Sequence, residues 1–178
     1  MIFSELYQTI DNKGTPDSIL RNGPIYCERD PWLGKGFYFW DTFIEVAHWW
    51  GHVRYKDNYI ICSANIHVNQ GECLDLHGNM QQLKYFKKCI REIEAKFGEQ
   101  VTVSFVIEYL KYAAHFPFKV IRARTESCGG ESFPRKYVRS YTQELMLTQA
   151  VQICVIDKSL VNDYSVYYSS DEEFQGLS

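Results

Sequence analysis

The sequence predicts an α+β domain rather than a fold in which strands and helices alternate regularly. Short apolar runs bounded by Gly, Pro, Asn or Asp, which are typical of strands, occur at the beginning, in the middle and near the end of the chain. Two segments with helical periodicity follow one another without a strand between them. The predicted order is therefore β, α, β, α, β, β, α, α, β, β, β, which differs from that of a doubly wound parallel sheet.

The predicted strands are short stretches rich in β-branched and aromatic residues, as in "FYFW", "NYIICSANIHV" and "VQICVID". In chain order, strands are predicted at 4–10, 37–40, 58–68, 71–76, 118–126, 143–148 and 151–157, and helices at 15–23, 41–53, 79–97 and 101–114. The stretch between 127 and 140 contains two Gly and one Pro and is predicted to be a loop.

The predicted helices have recognisable ends or faces. The first has Thr15 as its N-cap and Pro16 at its first helical position. The second begins with Thr42 and Glu45, which have the spacing of a capping box. The third is amphipathic, because its apolar residues recur at helical spacing through Leu83, Phe86, Ile90 and Ile93.

Length and composition favour one globular domain over 1–178, with an acidic tail at about 167–178. The net charge of −3 provides no overall attraction for nucleic acid or membranes. The N-terminal residues lack the pattern of a signal peptide and no stretch has the length of a membrane span, so we expect no membrane partner and a cytoplasmic location. The six cysteines are scattered, and Cys62 and Cys154 lie in apolar runs where free thiols pack as small hydrophobic groups.

Aromatic residues are concentrated in one stretch, "PWLGKGFYFWDTFIEVAHWWG", where 21 residues include eight aromatic rings and three glycines. Part of this stretch is expected to belong to the core, because Phe37, Phe39, Trp40 and Trp50 fit strand alternation or helical spacing. The remaining rings could line a slot for a flat ligand, since aromatic faces stack on planar groups.

Three segments together resemble the ADP-ribosyltransferase family: "LYQT" near the start, "GKGFYFWD" in the first third, and "QELMLTQAVQICV" near the end. The resemblance is to the diphtheria-toxin and poly-ADP-ribose-polymerase branch, which has a His–Tyr–Glu triad. It implies split mixed or antiparallel sheets flanked by helices. It also implies NAD as co-substrate and transfer of ADP-ribose to an acceptor with release of nicotinamide.

The resemblance also implies a role for each matching residue. Glu144 would orient the ribose and stabilise the positive sugar, and Tyr38 would stack on the nicotinamide ring. Gln8 stands where the family has its histidine and would bind a ribose hydroxyl, since an amide can donate and accept. The other implied NAD contacts are the backbone of Thr9, a close approach at Gly34 and Gly36, and a second stacking ring from Trp49.

Replacement of the triad histidine by Gln8 leaves three functions open. The first is mono-ADP-ribosyl transfer with Gln8, Tyr38 and Glu144 as the triad. The others are an NAD- or ADP-ribose-binding module with weak or no activity, and an NAD glycohydrolase that uses the same cleft. Gln152, on the strand after Glu144, could face that cleft as well.

Further candidate residues have weaker patterns. The loop at 127–141 mixes basic and aromatic residues, which would suit a protein or nucleic-acid acceptor but is equally typical of a solvated loop. Arg122 and Arg124 alternate on a predicted strand, where they could bind a pyrophosphate or simply face solvent. His48 and His52 are four apart on a helix, but no third ligand is evident, so no metal site is expected.

Overall fold

The computed structural model describes residues 1–13, 16–29, 31–113, 116–128, 131–132, 137–140 and 143–170; residues 16, 127–128, 131–132, 137–140 and 143–145 are described by their backbone alone. The strands are β1 (Ile2–Asp11), β2 (Tyr26–Cys27), β3 (Gly36–Asp41), β4 (Tyr59–His67), β5 (Cys73–Asp75), β6 (Val120–Arg124), β7 (Ser127–Cys128), β8 (Glu131–Ser132), β9 (Tyr137–Ser140), β10 (Gln143–Met146), β11 (Val151–Val155) and β12 (Val161–Ser169). The helices are α1 (Pro16–Asn22), α2 (Ile44–Tyr55), α3 (Met80–Phe97) and α4 (Val103–Ala113).

A mixed sheet forms the centre of the fold. Within the described residues it has eight strands, seven of them in the order β12-β4-β1-β3-β11-β6-β5, with β2 added alongside β3. Neighbouring strands are antiparallel except β5 and β6, which are parallel. The sequence-based assignment to the α+β class is confirmed.

The two faces of this sheet bury different clusters, because successive strand residues point in opposite directions. On β3, Phe37 and Phe39 join a cluster with Leu6 and Ile153 on one face. On the other face α2 packs against β1 and β4, where it buries Val46 and Ala47, and α3 and α4 cover β5, β6 and β11. The buried faces of the helices thus explain their apolar spacing.

The predicted start of α2 is wrong. The helix begins at Ile44 after Phe43, and no side chain caps it. Thr42 instead has φ of 65°, and its hydroxyl donates to the Asp41 carboxylate while its N–H donates to the carbonyl of Glu5. Contacts with β1 and β3 therefore outweigh the local capping preference of Thr42.

Other elements were predicted with mixed success. Asn79 caps α3 by accepting hydrogen bonds from the N–H groups of Gln81 and Gln82, close to the predicted boundary. The predicted loop between 127 and 140 contains β7, β8 and β9. The predicted tail begins too early, because Tyr168 and Ser169 pair with β4 as part of β12; residues 171–178 lie outside the described part of the chain.

The sheet opens between β1 and β3, and this opening positions the candidate site. Among the described residues these strands pair at Leu6 with Asp41 and at Tyr7 with Trp40. Beyond Tyr7, β1 continues to Asp11 in register with β4, while β3 continues in register with β11. The two central strands consequently separate, and a cleft lies where further pairs would otherwise form.

Candidate functional site

The cleft between β1 and β3 has a volume of about 600 Å³. Its lining comes from β1 at 8–10, the segment around β2 at 25–29 and 31–32, β3 at 38–40, α2 at 50 and 53–55, and position 152 of β11. Because α2 packs on β1 and β2 pairs with β3, these two elements border the cleft from opposite sides. A volume of this size falls within the range of about 300–1,000 Å³ that is usual for small-molecule sites.

Gln8 lies at the cleft, but its amide is fully used by the protein. Its Nε2 donates to the carbonyls of Ile25 (3.0 Å) and Tyr38 (3.2 Å). Its Oε1 accepts from the Ile25 N–H (2.7 Å) and from the hydroxyl of Tyr164 on β12 (2.9 Å). The side chain thus links β1, β3, β12 and the segment before β2 at the level where the strands have separated, so ribose binding by Gln8 would require one of these bonds to break.

Tyr38 also lies at the cleft, with its hydroxyl turned into the turn that precedes β3. That hydroxyl accepts from the N–H of Leu33 (2.7 Å) and donates to the carbonyl of Gly34 (2.8 Å). Burial raises the pKa of Tyr38 well above its ordinary value, so the phenol is neutral. The ring therefore has a fixed position, as a stacking surface requires.

Gly34 and Gly36 are needed for packing and not for ligand approach. Gly34 has φ of 81°, and a Cβ there would lie 2.7 Å from Oε1 of Glu108 on α4. A Cβ on Gly36 would lie 2.6 Å from Sγ of Cys154 and 2.7 Å from the carbonyl oxygen of Val155. Both glycines thus allow close approach within the protein itself, and neither is among the described lining residues.

The rings that α2 contributes to the cleft are those of Trp50 and Tyr55, whereas Trp49 is not among the described lining residues. Both indoles meet Trp40 edge to face, at centroid distances of 6.2 Å for Trp49 and 6.4 Å for Trp50. Trp49 therefore belongs to the cluster between helix and sheet. Thr9 does lie at the cleft, but its buried hydroxyl donates to the carbonyl of Ala47 (2.8 Å) and ties β1 to α2.

The strand beside β3 carries Gln152 and not Glu144. Gln152 is buried opposite Trp40, lines the cleft and accepts a hydrogen bond from the indole N–H of Trp32. Glu144 lies in β10, which pairs with β9 in a separate two-stranded sheet; its side chain lies outside the described part. The predicted triad therefore has two described members at the cleft, Gln8 and Tyr38, joined through the backbone carbonyl of Tyr38.

The two helical histidines meet a buried tyrosine. His48 Nδ1 lies 2.8 Å from the hydroxyl of Tyr59, and His52 bonds the carboxylate of Asp57. Burial lowers the pKa of His48, and the neighbouring His52 lowers it further. In the described part of the chain, no three metal-ligating side chains lie close enough together to bind a metal ion.

Arg122 is committed to a partly buried ion-pair network. Its Nε lies 2.7 Å from Oδ2 of Asp41, and its guanidinium also approaches Asp75 at 3.3 Å. Arg124 lies 3.8 Å from Glu126. The suggested pyrophosphate role for these two arginines has no support in this arrangement, because they are engaged within the protein and do not line the cleft.

The sequence patterns do not identify Arg29, Trp32 and Arg54 as cleft residues. Trp50 packs against the core as predicted and also lines the cleft. Trp32 lies in the aromatic-rich stretch, and its position before the Gly34 turn was the one signal available. Comparisons with protein-family models, with curated proteins and with solved structures found no match for this chain. None of the helices in the described part has both the length and the apolar character needed to cross a bilayer.

Proposed function

We propose that this chain binds NAD in the cleft between β1 and β3, as a domain of the ADP-ribosyltransferase type would. The observation that carries the proposal is the cleft itself, which opens where the two central strands separate. Its lining combines the rings of Tyr38, Trp32 and Trp50 with amide and hydroxyl groups. Aromatic walls with a few polar groups suit a flat pyridine ring and its carboxamide.

The interior of the cleft favours binding over turnover. Cleavage of the bond between ribose and nicotinamide develops positive charge on the sugar, which a nearby carboxylate stabilises. Among the described lining residues the carboxylate is that of Glu28, which is exposed at the mouth. The polar groups of Gln8 and Tyr38 are bonded within the protein, and of the Gln152 amide it is Oε1 that has a described hydrogen bond. The described lining therefore supports binding of intact NAD, and turnover would need a carboxylate from Glu144, whose side chain lies outside the described part.

Neighbouring tryptophans on α2 offer a matched test of NAD binding. Trp50→Leu removes a ring from the cleft wall, whereas Trp49→Leu removes a ring of the same type that is not among the lining residues. By calorimetric titration we expect NAD affinity to fall about two- to tenfold in the first variant, since loss of stacking costs about 0.5–1.5 kcal/mol. The Trp49→Leu variant should bind as the unmodified chain does. Equal affinity in all three proteins, or no NAD binding by the unmodified chain, would refute the proposal.

The second candidate is transfer of ADP-ribose to a protein or nucleic-acid acceptor, with hydrolysis of NAD as its variant. It is favoured by the position of Glu144 in β10, shortly before the segment that enters β11, whose Gln152 lines the cleft. In this candidate Glu144 holds the ribose 2′-hydroxyl and stabilises the sugar cation, and the stretch 127–141 contacts the acceptor.

Labelled NAD distinguishes the candidates. Transfer predicts release of nicotinamide with the label on protein or nucleic acid, and hydrolysis predicts release with the label in solution. Either activity should be lost in Glu144→Gln and retained in Glu99→Gln, the control at an exposed glutamate that is not among the described lining residues. Binding of NAD without release of nicotinamide would eliminate both activities and leave the binding module.

A further inference from the structure

Among the described residues that line the cleft, the charged side chains are all exposed. They are Glu28, Arg29 and Arg54. The interior positions are neutral; burial also raises the pKa of Tyr38 and of Tyr55, so neither phenol ionises at neutral pH. An anionic part of a ligand can therefore meet countercharge at the mouth, and its uncharged part can enter the interior.

The two arginines of the lining lie on different elements. Arg29 follows β2, which pairs with β3, and Arg54 lies in the last turn of α2, which packs on β1. Within the described part of the chain, neither guanidinium has an ion-pair or hydrogen-bond partner, whereas Arg122 is held by two aspartates. Among the described residues, therefore, no partner occupies these two guanidiniums as the aspartates occupy that of Arg122.

We propose that Arg29 and Arg54 bind the diphosphate group of a nucleoside-diphosphate ligand such as ADP-ribose. This rests on the proposed function, because it assigns the anionic half of the dinucleotide to the mouth of the same cleft. Guanidinium groups suit phosphate oxygens because their planar N–H groups can form two parallel charge-assisted hydrogen bonds. Glu28, which precedes Arg29 in the same lining segment, opposes an anion and therefore limits the affinity.

Variants at the three mouth positions test this assignment. By titration with ADP-ribose, Arg29→Gln and Arg54→Gln should each weaken binding about three- to tenfold, as expected for exposed charge-assisted contacts. Glu28→Gln should strengthen binding. Arg91→Gln on α3, another exposed arginine outside the cleft lining, is the matched control and should leave binding unchanged.

Two further measurements separate a diphosphate contact from a general effect of charge or folding. Nicotinamide, which carries no phosphate, should bind all variants equally, and binding of ADP-ribose should depend less on salt in the double variant Arg29→Gln/Arg54→Gln than in the unmodified chain. Circular dichroism melting should coincide for all variants, because the substituted side chains are exposed.

The outcomes distinguish this inference from the function on which it rests. If the unmodified chain binds ADP-ribose and NAD but the arginine variants bind them equally well, the inference is wrong and the proposed function stands. If ADP-ribose binds through the arginines but NAD does not bind, the inference stands and the proposed function fails. Absence of binding by the unmodified chain overturns both.

Discussion

The two edges of β3 differ sharply, although they belong to the same six residues. On one edge, Phe37 to Trp40 pair without interruption with Val155 to Gln152 of β11. On the other edge, β3 pairs among the described residues with β1 at Trp40 and Asp41 and with β2 at Gly36 and Phe37, whereas Tyr38 and Phe39, which line the cleft, have no strand partner there. One edge is therefore continuous core, and the other provides the wall of the candidate site.

The open edge shows how a gap in a sheet can be tolerated. Backbone groups that lose their strand partners need other hydrogen bonds, because a buried, unpaired polar group is costly. The amide of Gln8 accepts from Ile25, and it donates to the carbonyls of Ile25 and Tyr38. The side chain of Gln8 thereby provides some of the hydrogen bonds that a neighbouring strand would otherwise make, and the cleft stays open.

The largest effect is expected on the closed edge. Ile153 is fully buried between Phe39 and Arg122 in the register of the sheet. Ile153→Ala should lower the free energy of unfolding by about 2–5 kcal/mol, because it deletes buried methyl groups and leaves a cavity. Urea denaturation measures this loss, and ligand affinity of the folded fraction should not change. A loss under about 1 kcal/mol would mean that this edge is less tightly packed than its burial indicates.

The next largest loss of stability is expected from replacing Gln8, whose side chain spans the open edge of β3. Gln8→Leu should lower the free energy of unfolding by about 1–3 kcal/mol, because it leaves polar groups of Ile25, Tyr38 and Tyr164 without their partner. Urea denaturation measures the change.

Gln152→Leu is the matched control for this substitution. Its described side-chain hydrogen bond is the one accepted from Trp32, so the loss of stability should be smaller. If both leucine variants lost the same stability, Gln8 would not have the bridging role assigned to it.

A smaller effect is expected in the turn before β3. Tyr38→Phe removes the hydroxyl that bonds Leu33 and Gly34 while keeping the ring in the cleft. The free energy of unfolding should fall by about 0.5–1.5 kcal/mol, the usual net value of a lost hydrogen bond. NAD affinity should stay nearly constant by titration, because stacking needs the ring alone. A large drop in affinity with unchanged stability would show that the hydroxyl contacts the ligand.

The smallest effect is a dependence of the free energy of unfolding on pH, which we expect from His48 on α2. Burial lowers the pKa of His48 below its unfolded value of 6.5, so the folded state favours the neutral imidazole. The stability that this provides is present above about pH 6.5 and is lost as the pH falls toward the folded pKa. Urea denaturation at about pH 8 and about pH 5 should show a larger loss for the unmodified chain than for His48→Gln. His67→Gln, at an exposed position on β4, should behave as the unmodified chain does.

Sequence patterns predicted most of the central elements because their signals are local. β4 and β11 are apolar runs, and α3 has a capping residue and an amphipathic face, so each segment specifies its own conformation. The α+β class follows from their order. Of the residues that the sequence predicts for the site, Gln8, Thr9 and Tyr38 lie at the cleft, and their roles in NAD binding stay predictions.

Tertiary structure decided which side chains face the cleft and which are already occupied. Whether Trp49 or Trp50 lines the cleft depends on how α2 is rotated about its axis against β1 and β4, and helical spacing alone does not define this rotation. The hydrogen bond from Tyr164 to Gln8 joins residues 156 positions apart. Tyr164 lies on β12, whose last residues the sequence predicts to be part of a tail. A sequence pattern records the conformation that each segment prefers, whereas hydrogen-bond partners and cavity walls arise only when distant segments pack together.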